Sequence, residues 1–270
     1  MTWEIRSDLD RFAAVAGDFL RASPVRHTVF LTLIDNLRSR GLHAYGAGDP
    51  VFGWWITPGD DSVSGVLLQT PPHPVMFTAL PAPAVPAAAA ALRSRPLPGV
   101  NMLVDDLPAF VGSRAHQPGM RTRLHPLGTL TPPSPPGAAR PAGPADRDLV
   151  TAWLTDFFAV TGEPRADVAA VVDELLPRVT LRVDDATPVS MAVRSRPAAG
   201  MIRILYVWTP PALRRHGYAA GATAAATRAA LDEGAAEVVL YTDLDNPTSN
   251  ALYHRLGYRP VEDRAVVTFA

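Results

Sequence analysis

The stretch from residue 131 to 144, TPPSPPGAARPAGP, limits what this chain can fold into more than any other segment. Six of its fourteen residues are proline. Each proline fixes φ and removes an amide donor, so neither a helix nor an interior strand can run through the segment, whereas an extended connector or an edge strand can. Both flanks are rich in apolar residues, which favours a connector between two folding units over a proline-rich ligand displayed to a partner. The chain is therefore expected to divide into 1–130 and 131–270. With 270 residues and 47% apolar side chains, each part has the material for its own core.

Charge and composition exclude several classes of function. The 25 basic and 26 acidic side chains leave a net charge of -1, which speaks against a chain-wide grip on nucleic acid or an anionic membrane. No apolar run reaches the roughly 18 residues of a membrane span. The opening MTWEIRSD lacks a basic stretch followed by an apolar one. The expectation is a cytoplasmic protein, monomer or homodimer, with neither nucleic acid nor membrane as a partner. There is no cysteine, so disulfides, thiolate metal sites and a cysteine nucleophile are excluded. Every basic residue is arginine, which removes Schiff-base and P-loop lysine chemistry. The histidines at 27, 43, 73, 116, 125, 216 and 254 show no metal-ligand spacing, and no metal is expected.

Periodicity gives the same order of elements twice. In the second half, one helix is expected from a cap at Asp146 or Asp148 through Phe158 and another from Pro164 or Arg165 to Leu176, followed by β-prone runs at 179–183, 188–194 and 201–208 that read as an antiparallel meander. A small-residue helix over 214–233 is stopped by Gly234, then come a strand at 237–241, a helix at 247–256 and a strand over 259–269. The first half repeats this more faintly, with helices at 9–20 and 25–38, strands at 51–56, 63–69 and 75–77, an alanine helix at 85–93, a strand at 100–104, a helix from 107 and a strand at 120–127. The reading is α/β (α+β): a duplicated fold, each copy a mixed, mostly antiparallel sheet flanked by helices.

One segment carries chemistry: VWTPPALRRHGYAAG, Val207 to Gly221. A strand ends, two prolines force an extended exit, and a turn of Arg, His and Gly opens into a helix. The first-turn amides of a helix lack internal partners and carry partial positive charge, so such a turn can cradle a diphosphate if the backbone can approach it. Gly217 removes a side chain at that place and Ala219 keeps the next position small. Arg214, Arg215 and His216 put positive or protonatable groups around it. Basic side chains are unfavourable at a helix N-terminus, and a bound anion would explain them better than a helix start that binds nothing. No Gly-x-Gly-x-x-Gly is present for a dinucleotide fold, and no Gly-Lys-Ser/Thr for a P-loop.

Here the sequence resembles the GNAT superfamily of acetyl-CoA-dependent N-acyltransferases. The family's loop pattern is Arg/Gln-x-x-Gly-x-Gly/Ala, and the six residues from Arg214 to Ala219 match each fixed position. A second family pattern, Asn-x-x-Ala/Ser-x-x-Leu-Tyr-x-x-x-Gly-Phe/Tyr, is matched by Asn246, Ser249, Leu252, Tyr253, Gly257 and Tyr258. The resemblance covers about residues 131–270, and is nearest to an actinobacterial-type group whose degenerate first half shares the fold of the catalytic half. It implies two tandem GNAT-like domains with acetyl-CoA as cosubstrate and an amine as acceptor. It further implies two strands that splay to admit the pantetheine arm against Val207, Trp208 and Thr209. The diphosphate would sit on Arg214, Arg215, His216, Gly217, Tyr218 and Ala219, Asn246 and Ser249 would border the arm, and the Tyr253 phenol would protonate the departing thiolate. Without that pattern Tyr253 reads as a core tyrosine and Asn246 as a helix N-cap before Pro247, which it can be in either case.

The resemblance has one gap. Many relatives carry a carboxylate on the strand leading into the loop, where this chain has Ile204-Leu205-Tyr206-Val207. Asp243 and Glu163 are the candidate bases, each equally readable as a surface charge; water, backbone carbonyls or an acceptor of low pKa are the alternatives. Tyr206 reads as a wall of the acceptor pocket or as packing. The first half has no cradle: PPHPVMFTALPAPA, residues 71–84, holds neither a Gly-x-Gly/Ala nor an arginine. A packing role and one wall of an acceptor cleft are expected of it, and Trp54 and Trp55 should point to opposite faces. A non-catalytic acyl-CoA module, and a tandem-fold ligase using aminoacyl-tRNA, are the competing readings. The missing carboxylate favours the first; neutral charge and the intact loop disfavour the second.

Overall fold

The computed structural model describes residues 3–57, 59, 61–134, 137–162 and 167–269. They group into two units, one of Met1–Leu124 with Asp243–Asp245 and Val261–Ala270, the other of His125–Thr242 with Asn246–Pro260. The sequence places the boundary at 130/131; the units meet in the chain six residues earlier, and the last ten residues join the first unit. The physical reason is pairing over long sequence distance, which no local pattern encodes.

In the first unit β1 (Trp3–Arg6) is followed by α1 (Leu9–Ala22) and α2 (Thr28–Arg40). The meander β2 (Val51–Ile56), β3 (Val63–Gln69) and β4 (Val75–Phe77) comes next, then α3 (Ala84–Ala91), β5 (Gly99–Leu103), α4 (Leu107–Val111) and β6 (His116–Pro126). The terminal strand β12 (Glu262–Phe269) completes the sheet, whose order is β1-β2-β3-β4-β5-β12-β6. Only β4 and β5 are parallel; every other pairing described in this unit is antiparallel. Asp8 starts α1 by accepting the Arg11 N–H at 2.9 Å, a side-chain N-cap. Because neighbouring strand residues face opposite ways, Phe52, Trp54, Val66 and Leu68 meet α1 and α2, while Val51, Trp55, Leu67 and Val75 meet α3 and α4. Trp54 and Trp55 are both 1% exposed, so the pair anchors the two core layers on either side of the sheet.

The second unit runs through the same order. β7 (Ala138–Pro141) leads to α5 (Arg147–Thr161), α6 (Val168–Leu175), β8 (Val179–Asp184), β9 (Thr187–Arg194), β10 (Met201–Trp208), α7 (Tyr218–Asp232), β11 (Glu237–Asp243) and α8 (Pro247–Leu256). Its strand order is β11-β10-β9-β8-β7, antiparallel except for β10 beside β11. Part of the proline-rich segment is thus the edge strand β7, where a proline's missing donor does least harm. Asp167 caps α6 through the Ala170 N–H at 2.9 Å, so that helix starts at Val168; residues 164–166 of the expected helix lie outside those described. α7 begins at Tyr218, four residues later than expected, because Arg215 and Gly217 adopt positive φ of 70° and 78°. The protein is a mixed α/β fold of mostly antiparallel sheet flanked by helices.

Candidate functional site

The site begins where a sheet comes apart. β10 pairs in parallel with β11 from Met201↔Glu237 to Ile204↔Leu240, and the pairing stops there. On its other side β10 keeps β9, but Leu205↔Val193 is followed by Trp208↔Met191, so three steps along β10 match two along β9. The extra residue is a β-bulge, and Tyr206 sits in it at φ 47°. A non-glycine residue in the left-handed region costs about 1–2 kcal/mol. The bulge breaks the alternation of side chains: Ile204 and Val207 pack on the α7/α8 face, whereas Leu205, Tyr206 and Trp208 all pack on the α5/α6 face. Val207 has no register partner on either neighbouring strand.

Past the bulge the chain prepares a cluster of bare amides. Pro210 is extended, a single 3-10 turn spans Pro211–Leu213, and Arg214 is extended again before Arg215 and Gly217 turn left-handed. Among the described residues, no acceptor is found for the N–H groups of Arg215, His216 and Gly217, or for those of Tyr218, Ala219 and Ala220 in the first turn of α7. Successive amides in such a turn form an anion-binding concavity, reinforced by the helix dipole. A Cβ added at Gly217 would meet no atom within 4 Å, so the space there is open. The small residues Gly221, Ala222, Ala224, Ala226 and Ala230 are buried and let α7 lie close against the sheet.

The neighbouring side chains divide into supports and open groups. Arg214 donates from Nε to the Thr209 carbonyl at 3.1 Å, and its guanidinium carbon lies 5.1 Å from the Trp208 ring centroid. It therefore braces the loop against the end of β10. Ser190 Oγ donates to the Trp208 carbonyl at 2.8 Å and lies 2.9 Å from Thr209 Oγ1. The carbonyls of Trp208 and Thr209 are thus already engaged within the protein, and of the three residues expected to border the arm, Val207 keeps an unmatched place in the ladder. His216 stacks on Tyr218 with centroids 5.5 Å apart, and the Tyr218 hydroxyl donates to Asp184 Oδ2 at 2.5 Å. That hydrogen bond to a carboxylate raises the Tyr218 pKa. Asp184 ends β8, so the β8–β9 hairpin is tied to the loop.

α8 packs in the same apolar cluster as α7. Asn246 Oδ1 caps it by accepting the Ser249 N–H at 3.1 Å, and Pro247 occupies the first turn. Behind the cap, His125 Nε2 lies 3.1 Å from Thr242 Oγ1, Thr242 donates to Asn250 Oδ1 at 2.7 Å, and Asn250 Nδ2 donates to the Asn246 carbonyl at 2.9 Å. Tyr253 packs in one apolar cluster with Val207 from the bulged strand and Ala220 from the first turn of α7. Its ring meets Tyr258 edge-on at 6.2 Å. No hydrogen bond to its hydroxyl occurs among the described residues, and burial pushes the phenol well above its ordinary pKa. Tyr258, by contrast, has its hydroxyl 2.6 Å from Thr227 Oγ1.

Val207 and Tyr253 thus share one apolar cluster with Ala220, at the helix start that Gly217, Tyr218 and Ala219 form, while Asn246 and Ser249 make the cap of α8. Asp243 ends β11. Its carboxylate accepts the Asp245 N–H at 2.9 Å in an exposed turn, and the 243–245 segment belongs to the first unit, where Leu244 N–H donates to the Arg121 carbonyl. Glu163 lies outside the described residues. Asp184, Ser190 and Phe157 were not singled out from sequence. Asp184 reads there as a turn acid, and its partner is 34 residues away. Among the described residues no group of three or more His, Cys, Asp or Glu side chains could hold a metal, and no helix is long and apolar enough to cross a membrane.

The matching place in the first unit is filled by protein. β4 and β5 pair at Val75↔Val100 and Met76↔Asn101. Arg264, on β12, donates from Nη2 to the carbonyls of Phe77 and Asn101 and from Nε to Asn101 Oδ1, while Nη1 holds Glu262 at 2.8 Å. A buried guanidinium thus takes the carbonyls that an entering chain would need.

Comparison with known proteins agrees with this geometry. Residues 149–258 match the family model described as the acetyltransferase (GNAT) family. That span contains the bulge, the amide loop and Tyr253, so residues 149–258 carry a GNAT-family domain. Three solved structures share the fold over nearly the whole chain. A Drosophila protein of a structural genomics programme is 14% identical, with 99% of this chain and 98% of that one covered and a TM-score of 0.65. An acetyltransferase from the GNAT family of Colwellia psychrerythraea is 9% identical over 100% of both chains, with a TM-score of 0.62. A GCN5-related N-acetyltransferase from Sphaerobacter thermophilus is 14% identical, with 98% and 94% covered and a TM-score of 0.61. No curated protein matches the sequence.

Proposed function

We propose that the protein is an acetyl-CoA-dependent N-acetyltransferase that passes the acetyl group directly from the thioester to a primary amine, with residues 131–270 as the catalytic domain and 1–130 as its degenerate companion. The observation that carries this is the coincidence of three features in one unit: a strand pairing that ends at Ile204↔Leu240, a bulge at Tyr206, and a run of acceptor-free amides from Arg215 into α7. The amides would hold the diphosphate, with Arg215 and His216 beside it. Val207 would pair with an amide of the arm as an added strand does, and Asn246 would border the same arm.

The neutral amine attacks the thioester carbon, the C–S bond breaks, and the sulfur leaves with the electron pair. Tyr253 donates a hydrogen bond to that sulfur. Its raised pKa keeps the phenol protonated throughout the neutral range. A thiol near pKa 8.5 is the stronger acid, so the phenol contributes by stabilising developing charge more than by ending as phenolate. The proton of the attacking amine passes to water or to Glu163; Asp243 is the other carboxylate of this proposal and would need to leave its turn.

Titration of purified protein with acetyl-CoA tests the reading. Binding is expected for the native chain and lost in Gly217→Trp; unchanged affinity in that variant refutes the cradle. A panel of amines scored by thiol release separates an enzyme from a binding module, the reading that the absence of a carboxylate from Ile204 to Val207 favours.

A further inference from the structure

We infer that the acceptor is a primary amine borne on an apolar, ring-containing frame, read by Phe157 and Tyr206; this rests on the acetyltransferase reading above and assigns its second substrate. Beyond Ile204↔Leu240, where the β10–β11 register ends, β10 carries side chains to both faces of the sheet. On one face lie Tyr253, Val207 and Ala220; on the other lie Phe157, Phe158, Tyr206 and Trp208. The amine adds to the carbonyl carbon from above or below the carbonyl plane, in which the sulfur lies, so it needs an approach that the sulfur and its Tyr253 contact do not occupy. In this proposal the ring face supplies that approach.

That face is a built ring group. Phe157 stands edge-to-face against Phe158 at 5.9 Å, Tyr206 at 5.4 Å and Trp208 at 6.3 Å, with interplanar angles of 81°, 76° and 78°. Phe158 and Trp208 are buried, whereas Phe157 and Tyr206 are only partly so. Two observations separate the group from ordinary core. Tyr206 reaches this face only through the bulge and a positive φ, and such strain persists where the surroundings impose it, commonly at ligand sites. Trp208, 6% exposed, keeps a buried indole N–H with no acceptor among the described residues, a donor that a bound molecule can satisfy. Partly open aromatic rings take another ring edge-on or stacked. Straight polycations find no such match in these four side chains.

The test compares 2-phenylethylamine, n-butylamine and spermidine as acceptors with acetyl-CoA, by thiol release. The native protein should favour 2-phenylethylamine over n-butylamine by about 10-fold or more in kcat/KM, the scale on which an apolar pocket discriminates. Phe157→Ala should cut that ratio about 10-fold. A variant that is merely less stable loses rate on both amines and leaves the ratio unmoved. An unchanged ratio in Phe157→Ala, or spermidine as the best acceptor, overturns the proposal. If acetyl-CoA binds and no amine is acetylated, the enzymatic reading fails by itself. The ring group is then tested by calorimetric titration of the CoA-saturated protein with 2-phenylethylamine: binding that Phe157→Ala abolishes upholds it, and no binding overturns it.

Discussion

Two glycines at opposite ends of one helix allow the cradle to be tested with its own control. Gly217 precedes α7 at φ 78°, and Gly234 follows it at φ 86°; a Cβ at either would meet nothing within 4 Å. Replacing either by alanine forces an L-residue into the left-handed region, at a cost of about 1–2 kcal/mol. For a chain of this size that lowers Tm by a few degrees. The two stability losses should therefore be alike, since neither substitution creates a clash or removes a packed atom. Their effects on acetyl-CoA should differ. At Gly217 the methyl projects into the open space beside the acceptor-free amides, and affinity should fall at least about 10-fold, or 1.4 kcal/mol. At Gly234 there is no amide cluster, and affinity should stay within about 2-fold. Calorimetric titration with acetyl-CoA, paired with thermal unfolding of both variants, makes the comparison. If Gly217→Ala and Gly234→Ala bind equally well, or lose affinity in proportion to their loss of Tm, the amides at the start of α7 do not hold the diphosphate.

Three further outcomes follow from single side chains. Tyr253→Phe should leave the acetyl-CoA Kd unchanged, lower kcat by about 10²-fold or more, and cost little stability, since the hydroxyl makes no hydrogen bond within the described protein; an undiminished kcat removes the role given to the phenol. Asp146 is held at about 2 by its two hydrogen bonds from Arg140 at 2.7 and 2.8 Å. Its folded-state pKa is depressed, so its contribution is present above its unfolded value of 3.8 and lost as pH falls from there towards 2. Arg140 is 43% exposed, which limits the contribution to about 1–2 kcal/mol; urea unfolding of Asp146→Asn beside the native chain should converge near pH 2 and diverge above pH 4, and parallel curves would contradict the assignment. Arg264→Met should destabilise the first unit by about 3–5 kcal/mol, because Glu262 would remain buried without that partner. Adding Glu262→Gln should restore part of the loss; no restoration would show that the carbonyl contacts, not the charge pair, carry it.

The parts of the site legible from sequence were those written in local pattern. Gly217 stood out because basic residues and a glycine open a helix there, and Asn246 to Tyr258 because cap, helix spacing and C-terminal glycine coincide. What escaped was set by pairing across the chain. The start of α7 could not be read, since arginine has no intrinsic liking for the left-handed conformation that Arg215 adopts. Tyr206 reads as one more strand residue until the register with Val193 and Met191 reveals a bulge. Asp184 gives no sign of Tyr218, and the 259–269 run gives no sign that its partners are β5 and β6. Local periodicity specifies a strand without specifying its neighbours.

The repeated order of elements shows how little separates a slot from a filled seam. Both units run strand, two helices, meander, helix, parallel strand, helix, and in both the last meander strand parts from its parallel neighbour within a few residues. In the second unit the strand then bulges, keeps Val207 outside the ladder and enters a loop whose amides lack acceptors. In the first, prolines at 71, 72 and 74 precede β4, no glycine opens α3, and Pro83 stands where a side-chain cap or bare amide could be. One arginine from β12 then takes the carbonyls of Phe77 and Asn101. A buried guanidinium is costly unless hydrogen-bonded and paired, and here the seam's carbonyls and Glu262 supply those partners. The first unit thus gains cohesion from the same backbone groups that the second leaves open. A binding groove of this kind is a deliberate shortage of internal hydrogen bonds, and the Arg264 seam is what the fold looks like when that shortage has been made good.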